Sequence, residues 1–172
     1  MRQNTGLINI GMSRDTSEFA CDSLRKWWYE QGLHVYPNAD SILILCDGGG
    51  GNSSRHYIFK EDLQKTADEI GIEIRIACYP PYTSKYNPIE HLMSPHVTRA
   101  CQGVIFRSAE IVRELIESAE TKNSLKVTAK IIDKVYELKR KVKAGFKENM
   151  PIVFDEYLPK WNYRAIPKGE VI

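Results

Sequence analysis

A short apolar run, Ser41-Ile-Leu-Ile-Leu-Cys46, ends in Asp47 and four consecutive glycines, Gly48 to Gly51. No other feature constrains the fold as tightly. Six residues rich in Ile and Leu suit a strand covered on both faces. Four glycines in a row cannot hold regular structure, so the chain turns there. Beyond the turn, Phe59, Leu63, Ala67 and Ile70 recur at steps of four, four and three, a helical stripe that Gly71 stops. Ile72, Ile74 and Ile76 then alternate with Glu73, Arg75 and Ala77, a strand with one wetter face.

The flanks continue the alternation. Gly6 to Met12 reads as a strand. Asp15-Thr-Ser-Glu18 reads as a capping box, with Asp15 as N-cap, before a helix carrying Ala20, Leu24, Trp27 and Trp28 and ended by Gly32. His34 to Asp40 is a loop. Pro80 and Pro81 stop the third strand. Asn87 is a good N-cap and Pro88 suits a first helical position. Ser108 caps a further helix with Ile111, Val112, Leu115, Ile116 and Ala119 inward. Leu125, Val127, Ala129 and Ile131 alternate as a strand, and Val153-Phe154 and Trp161 to Ile166 read as short strands. This order predicts an α/β layered domain with a parallel central portion.

A chain of 172 residues is most simply one domain with a real core. No apolar stretch approaches the length that spans a bilayer, and the N-terminus has no apolar signal region. Cys21, Cys46, Cys78 and Cys101 show no Cys-x-x-Cys spacing, and three of them end or sit in apolar segments, which suits buried reduced thiols and a cytoplasmic protein. Charge is uneven. Residues 121 to 149 hold nine Lys or Arg against three acids, a local +6 in a chain of net +2, so the remainder carries −4. A basic segment beside an acidic body suits a protein that grips phosphates with one part and holds metal with another. A solvated lysine-rich surface has the same composition.

The candidate chemistry lies on Asp47 and Glu90, 43 residues apart. In open α/β sheets, ligands gather at the carboxyl ends of strands, where Asp47 sits. An Asp-Gly turn is the plainer reading of Asp47 alone. Glu90 follows Asn87-Pro88-Ile89 in the first turn of its helix, where a carboxylate also suits the helix dipole. Two such carboxylates can share Mg²⁺, and paired Mg²⁺ ions serve phosphodiester chemistry. The tetraglycine lacks the Gly-Lys-Ser/Thr ending of a P-loop, which argues against nucleotide hydrolysis, and no nucleophile motif supports a phosphatase. No cluster has zinc-site spacing. His34 and His96 read as structural, His56 lies nine residues past Asp47, and His91 adjoins Glu90. Trp27 and Trp28 read as core.

Taken together, these motifs resemble DDE transposases, and among them the ISAzo-type group of bacterial insertion sequences. The resemblance rests on Asp15-Thr-Ser-Glu-Phe-Ala20, Trp27-Trp28, Asp47 to Gly50, Tyr79-Pro-Pro-Tyr-Thr-Ser-Lys85, Asn87-Pro-Ile-Glu90, Leu125-Lys-Val127 and Trp161-Asn-Tyr163, and covers nearly the whole chain. It implies an RNase H-like, retroviral-integrase-like α/β fold, a mixed sheet with flanking helices and a strand-containing C-terminal tail. Residues 1–120 would be a partial catalytic domain and 121–172 a basic extension packed on it. It implies that Asp47 and Glu90 are the second and third acids, holding two Mg²⁺ (or Mn²⁺) in an intact relative. The family's first acid lies on a strand upstream of Gly6, so the chain is expected to lack that strand and to be a C-terminal portion. Asp15, the first Asp present, reads better as a cap. The implied function is metal-dependent DNA cleavage and strand transfer. The alternative is a catalytically inactive nucleic-acid-binding or assembly module of the same fold. Implied partners are DNA, as transposon ends and target, with a homo-oligomer left open and no membrane. Candidate DNA contacts are Asn52, Lys85, Asn87, Lys139, Arg140, Lys141 and Lys143.

Overall fold

The computed structural model describes residues 4–47, 49, 56–80, 82–119, 121 and 125–169. Asn52 and most of the tetraglycine lie outside them. The fold is mixed α/β, in two compact units: Met1–Arg14 with Ser84–Val135, and Asp15–Thr83 with Tyr136–Ile172.

In the first unit, β1 (Thr5–Gly11) and β4 (Lys126–Ile132) pair in parallel, Thr5 opposite Lys126 and Gly11 opposite Ile132. The alternation predicted for the 125–131 stretch buries Leu125, Val127 and Ala129. They meet Ile116, Ala119 and Val112 of the α6 region (α6 is Ala109–Glu117) and Val97, Ala100 and Cys101 of α5 (Ser94–Cys101). Ser108 caps α6 as expected, its Oγ accepting the Ile111 N–H at 3.3 Å. Gly6 has a packing reason: a Cβ there would run into the Met93 Sδ, so the bare backbone seats that thioether on β1. Before α5 lies α4 (Ile89–Leu92); Met93, at φ −127° and ψ −51°, breaks the two apart.

In the second unit, β2 (Ser41–Cys46), β3 (Glu73–Cys78), β6 (Asn162–Ala165) and β5 (Val153–Phe154) form a four-stranded mixed sheet in that order. β2 and β3 are parallel, and β6 runs antiparallel to both β3 and β5. Helices α1 (Ser17–Trp27) and α3 (Tyr57–Ile70) bring Cys21, Phe59, Leu63 and Ala67 into one core with Ile74, Ile76, Tyr163 and Ala165 of the sheet. Gly71 ends α3 at φ +74°, as the stripe predicted.

Three local expectations are corrected. β2 is not covered on both faces: Ile44 and Cys46 point to the core, while Leu43 and Leu45 are 62% and 46% exposed. It is the edge strand of its four-stranded sheet. The N-cap of α1 is Thr16, not Asp15. Thr16 has extended dihedrals and its Oγ1 accepts the Phe19 N–H at 3.2 Å. Gly32 does not end the helix. The chain continues through a π-helical turn, Trp28–Gly32, into α2 (Leu33–Val35). Gly32 has helical dihedrals, and a Cβ on it would stand 2.5 Å from Trp28 Cε3 and 3.1 Å from Trp27 Cζ3. Glycine is there to admit the indoles. Trp28 is 4% exposed, so the core reading holds for it.

Candidate functional site

Asp47 is the first residue past β2, where the strand's parallel pairing ends at Cys46 opposite Cys78. Its side chain is exposed, and Oδ1 accepts the Gly49 N–H at 3.0 Å. A side chain closing back on the amide two residues on is the Asx-turn habit of aspartate. It orients the carboxylate while leaving lone pairs on both oxygens. Hard, oriented carboxylate oxygens are what Mg²⁺ or Mn²⁺ takes as ligands. The donor chemistry therefore fits a divalent ion.

Glu90 belongs to the other unit. Helix α4 starts one residue later than read: Pro88, at φ −56° and ψ −33°, is its N-cap rather than its first residue, and the Asn87 carboxamide oxygen accepts the Ile89 N–H at 3.4 Å. Asn87 is 8% exposed. Glu90 stands in the first turn, exposed, and its carboxylate has no hydrogen-bond or ion-pair partner among the described residues. His91 points back along the chain: its Nε2–H donates to the Lys85 carbonyl at 2.6 Å, tying α4 to the 3₁₀ turn Ser84–Tyr86. The Lys85 ammonium lies 5.1 Å from the centroid of the Tyr86 ring. Among the described residues, no three His, Cys, Asp or Glu side chains gather as a ligand set.

The basic segment has two kinds of residue. Arg140 turns inward, its guanidinium on the Asp62 carboxylate and 3.4 Å from Glu18. Ser17 Oγ donates to the same Asp62 oxygen at 2.7 Å, and the Lys143 N–H donates to Glu61 at 3.0 Å. Burial works against the charge of Arg140, but Asp62 more than offsets it and raises its pKa. Lys139, Lys141 and Lys143 are exposed, and their ammonium groups have no partner among the described residues. A cleft of about 710 Å³ is lined by Lys139, Arg140, Lys141, Lys147, His56 and Tyr57, with Asp15 and Glu137 as the acids in its wall. Both α1 and α3 begin at its wall, so their N-terminal N–H groups add positive potential.

Glu61 and Asp62, which anchor this segment, were not singled out from sequence. Both are buried, at 4% and 5% exposure. A signal existed. Lys60, Glu61 and Asp62 are consecutive, and three successive helical residues sweep about 200° at 3.6 residues per turn. They cannot all face away from the stripe of Phe59 and Leu63.

Lys60 is the second omission. It is 5% exposed, with its ammonium 4.8 Å from the Tyr163 centroid, 5.9 Å from Tyr57 and 6.0 Å from Phe154. Burial lowers its pKa. Nearby, Cys46 and Cys78 bring their sulfurs to 3.3 Å. The hydrogen bond from Cys46 holds the Cys78 thiol below its ordinary range, and the Lys60 charge adds to this. Burial pushes the Tyr163 phenol upward.

No helix among the described residues is long and apolar enough to cross a membrane. No curated protein and no solved structure matches the chain. The family model of the Rhodopirellula transposase DDE domain matches residues 1–167, nearly the full length. With an acid at the end of a parallel strand, a second acid opening a helix after Asn-Pro, and this match, the chain belongs to that family of DDE transposase domains, the ISAzo-type group.

Proposed function

We propose that this chain serves DNA transposition as catalytic-domain sequence of an RNase H-like fold, with Asp47 and Glu90 as ligands for Mg²⁺ or Mn²⁺. DDE transposase domains generally use divalent metal ions. The observation that carries the reading is Asp47 itself: an exposed carboxylate at the end of β2, oriented by the Gly49 N–H. When bound, such ions activate the attacking oxygen and stabilise the leaving oxygen of a phosphodiester. The chain's own residues do the rest. Asp47 and Glu90 supply negative oxygens. Lys139, Lys141 and Lys143 present exposed ammonium groups to neutralise phosphates, and the DNA backbone would run along the cleft beside them. Arg140 shapes that surface through Asp62 and Glu18. Lys85 and Asn87, which precede Glu90, and Asn52, which follows Asp47, are further candidate contacts.

Mn²⁺ titration by calorimetry, followed by a plasmid-nicking assay, tests this. Asp47→Asn and Glu90→Gln are each expected to weaken Mn²⁺ binding by about tenfold or more, the scale on which metal sites lose affinity. Unchanged Mn²⁺ binding in both variants would exclude the pair as ligands. DNA binding without any metal-dependent nicking would favour the inactive nucleic-acid-binding module.

A further inference from the structure

Cys46 and Cys78 are register partners on the parallel strands β2 and β3. Both thiols are reduced, with no disulfide between them, each residue is 6% exposed, and both face the core shared with α3. Their sulfurs stand 3.3 Å apart. Neighbouring strands lie about 4.8 Å apart, inside the Cα span of roughly 4.4–6.8 Å that a disulfide accepts. Closing the bond needs the sulfurs to approach by little more than an ångström, to about 2.05 Å. Cys21 and Cys101, the other two cysteines, lie on α1 and α5.

The position of the pair gives it consequence. Cys46 directly precedes Asp47, and Cys78 directly precedes Tyr79, whose N–H donates to the Cys46 carbonyl at 2.7 Å. The two sulfurs therefore sit where the Asp47 turn and the Tyr79-Pro80 segment leave the sheet.

We propose that Cys46 and Cys78 form a redox modification site, converted by a small hydroperoxide to a disulfide that displaces Asp47. The steps balance with one hydrogen peroxide. The Cys78 thiolate attacks a peroxide oxygen, the O–O bond breaks, and hydroxide leaves and takes a proton to become water. Cys78 is then a sulfenic acid. The Cys46 sulfur attacks the Cys78 sulfur, the S–O bond breaks, and the departing hydroxyl leaves with the Cys46 proton as a second water. Two thiols have lost two electrons and two protons. The bond draws the last residue of β2 toward β3, and Asp47 follows through its peptide bond. The effect on metal rests on the proposed reading of Asp47 as a ligand; the disulfide does not.

The full chain is treated with hydrogen peroxide, alkylated, digested and analysed by mass spectrometry, with Mn²⁺ affinity measured before oxidation, after it and after dithiothreitol. The expected result is a Cys46–Cys78 cross-linked peptide, with Cys21 and Cys101 recovered as alkylated thiols. Mn²⁺ affinity should fall by about tenfold on oxidation and return on reduction. Cys46→Ala, or Cys78→Ala where the first does not fold, should give no cross-link and a peroxide-independent affinity. Recovery of both thiols after oxidation, or a cross-link through Cys21 or Cys101, overturns the site. A Cys46–Cys78 cross-link with unchanged Mn²⁺ affinity overturns the displacement of Asp47. A reduced chain that binds no Mn²⁺ removes the ligand reading and leaves the cross-link to be judged by mass alone.

Discussion

Arg140 lays its guanidinium on the carboxylate of Asp62, a residue 78 positions earlier in α3. Asp62 is 5% exposed and also takes the Ser17 hydroxyl. The contact pins a stretch without helix or strand onto the starts of two helices. It also separates Arg140 in role from the lysines on either side of it.

The first consequence is for DNA binding. Replacing Lys139, Lys141 and Lys143 together with Gln should flatten the log–log salt dependence of DNA affinity. If all three meet phosphates, the slope should change by about 2.7, at roughly 0.9 per contact. Fluorescence anisotropy over a range of NaCl concentrations reads this directly. An unchanged slope would mean the lysines only solvate the surface.

Arg140 itself should behave differently. Arg140→Ala leaves the Asp62 carboxylate buried without its main partner, and breaking a buried pair from one side costs about 3–5 kcal/mol. Arg140 keeps some exposure, so the lower end is expected. Urea unfolding should show a lower midpoint. Asp62→Ala should destabilise as well, and the double variant by less than the sum.

Packing at Gly32 yields a third prediction. Gly32→Ala would ordinarily favour a helix, but here the new methyl meets Trp28 Cε3 at 2.5 Å and Trp27 at 3.1 Å. The variant should lose about 1–3 kcal/mol, as overpacked sites do. Its tryptophan fluorescence should shift as the indoles move. A gain in melting temperature would show that the π turn relaxes at no cost.

Alkaline pH supplies a fourth. Burial pushes the Cys21 thiol from 9.0 up to about 12. Between those values the unfolded chain has released that proton and the folded chain has kept it. The stability this provides is complete below pH 9 and lost as pH rises toward 12, by up to about tenfold in the folding equilibrium per pH unit. The stability gap between the parent chain and Cys21→Ala should therefore narrow steadily above pH 9 in chemical denaturation. A gap independent of pH would place Cys21 in a less buried setting.

The sequence alone determined most of the strands and helices, because periodicity is local, but not the π turn and α2 beyond Trp27 or the break between α4 and α5. Ile74 and Ile76 against Arg75, the stripe from Phe59 to Ile70, and Leu125 to Ile131 each read correctly since neighbouring residues already show the face they bury. It also determined the family, through Asp47-Gly-Gly-Gly and Asn87-Pro-Ile-Glu90. Cap identity was legible at Ser108 and Gly71 but slipped by one residue at Asp15 and Thr16, where two residues able to cap stand side by side and backbone dihedrals decide. Tertiary structure decided what depends on distant partners. It turned Arg140 inward onto Asp62, left Leu43 and Leu45 exposed on β2, and set Cys46 against Cys78. Each of these joins residues far apart in the chain, and no local pattern of charge or hydropathy carries the energy of a contact whose other half lies dozens of positions away.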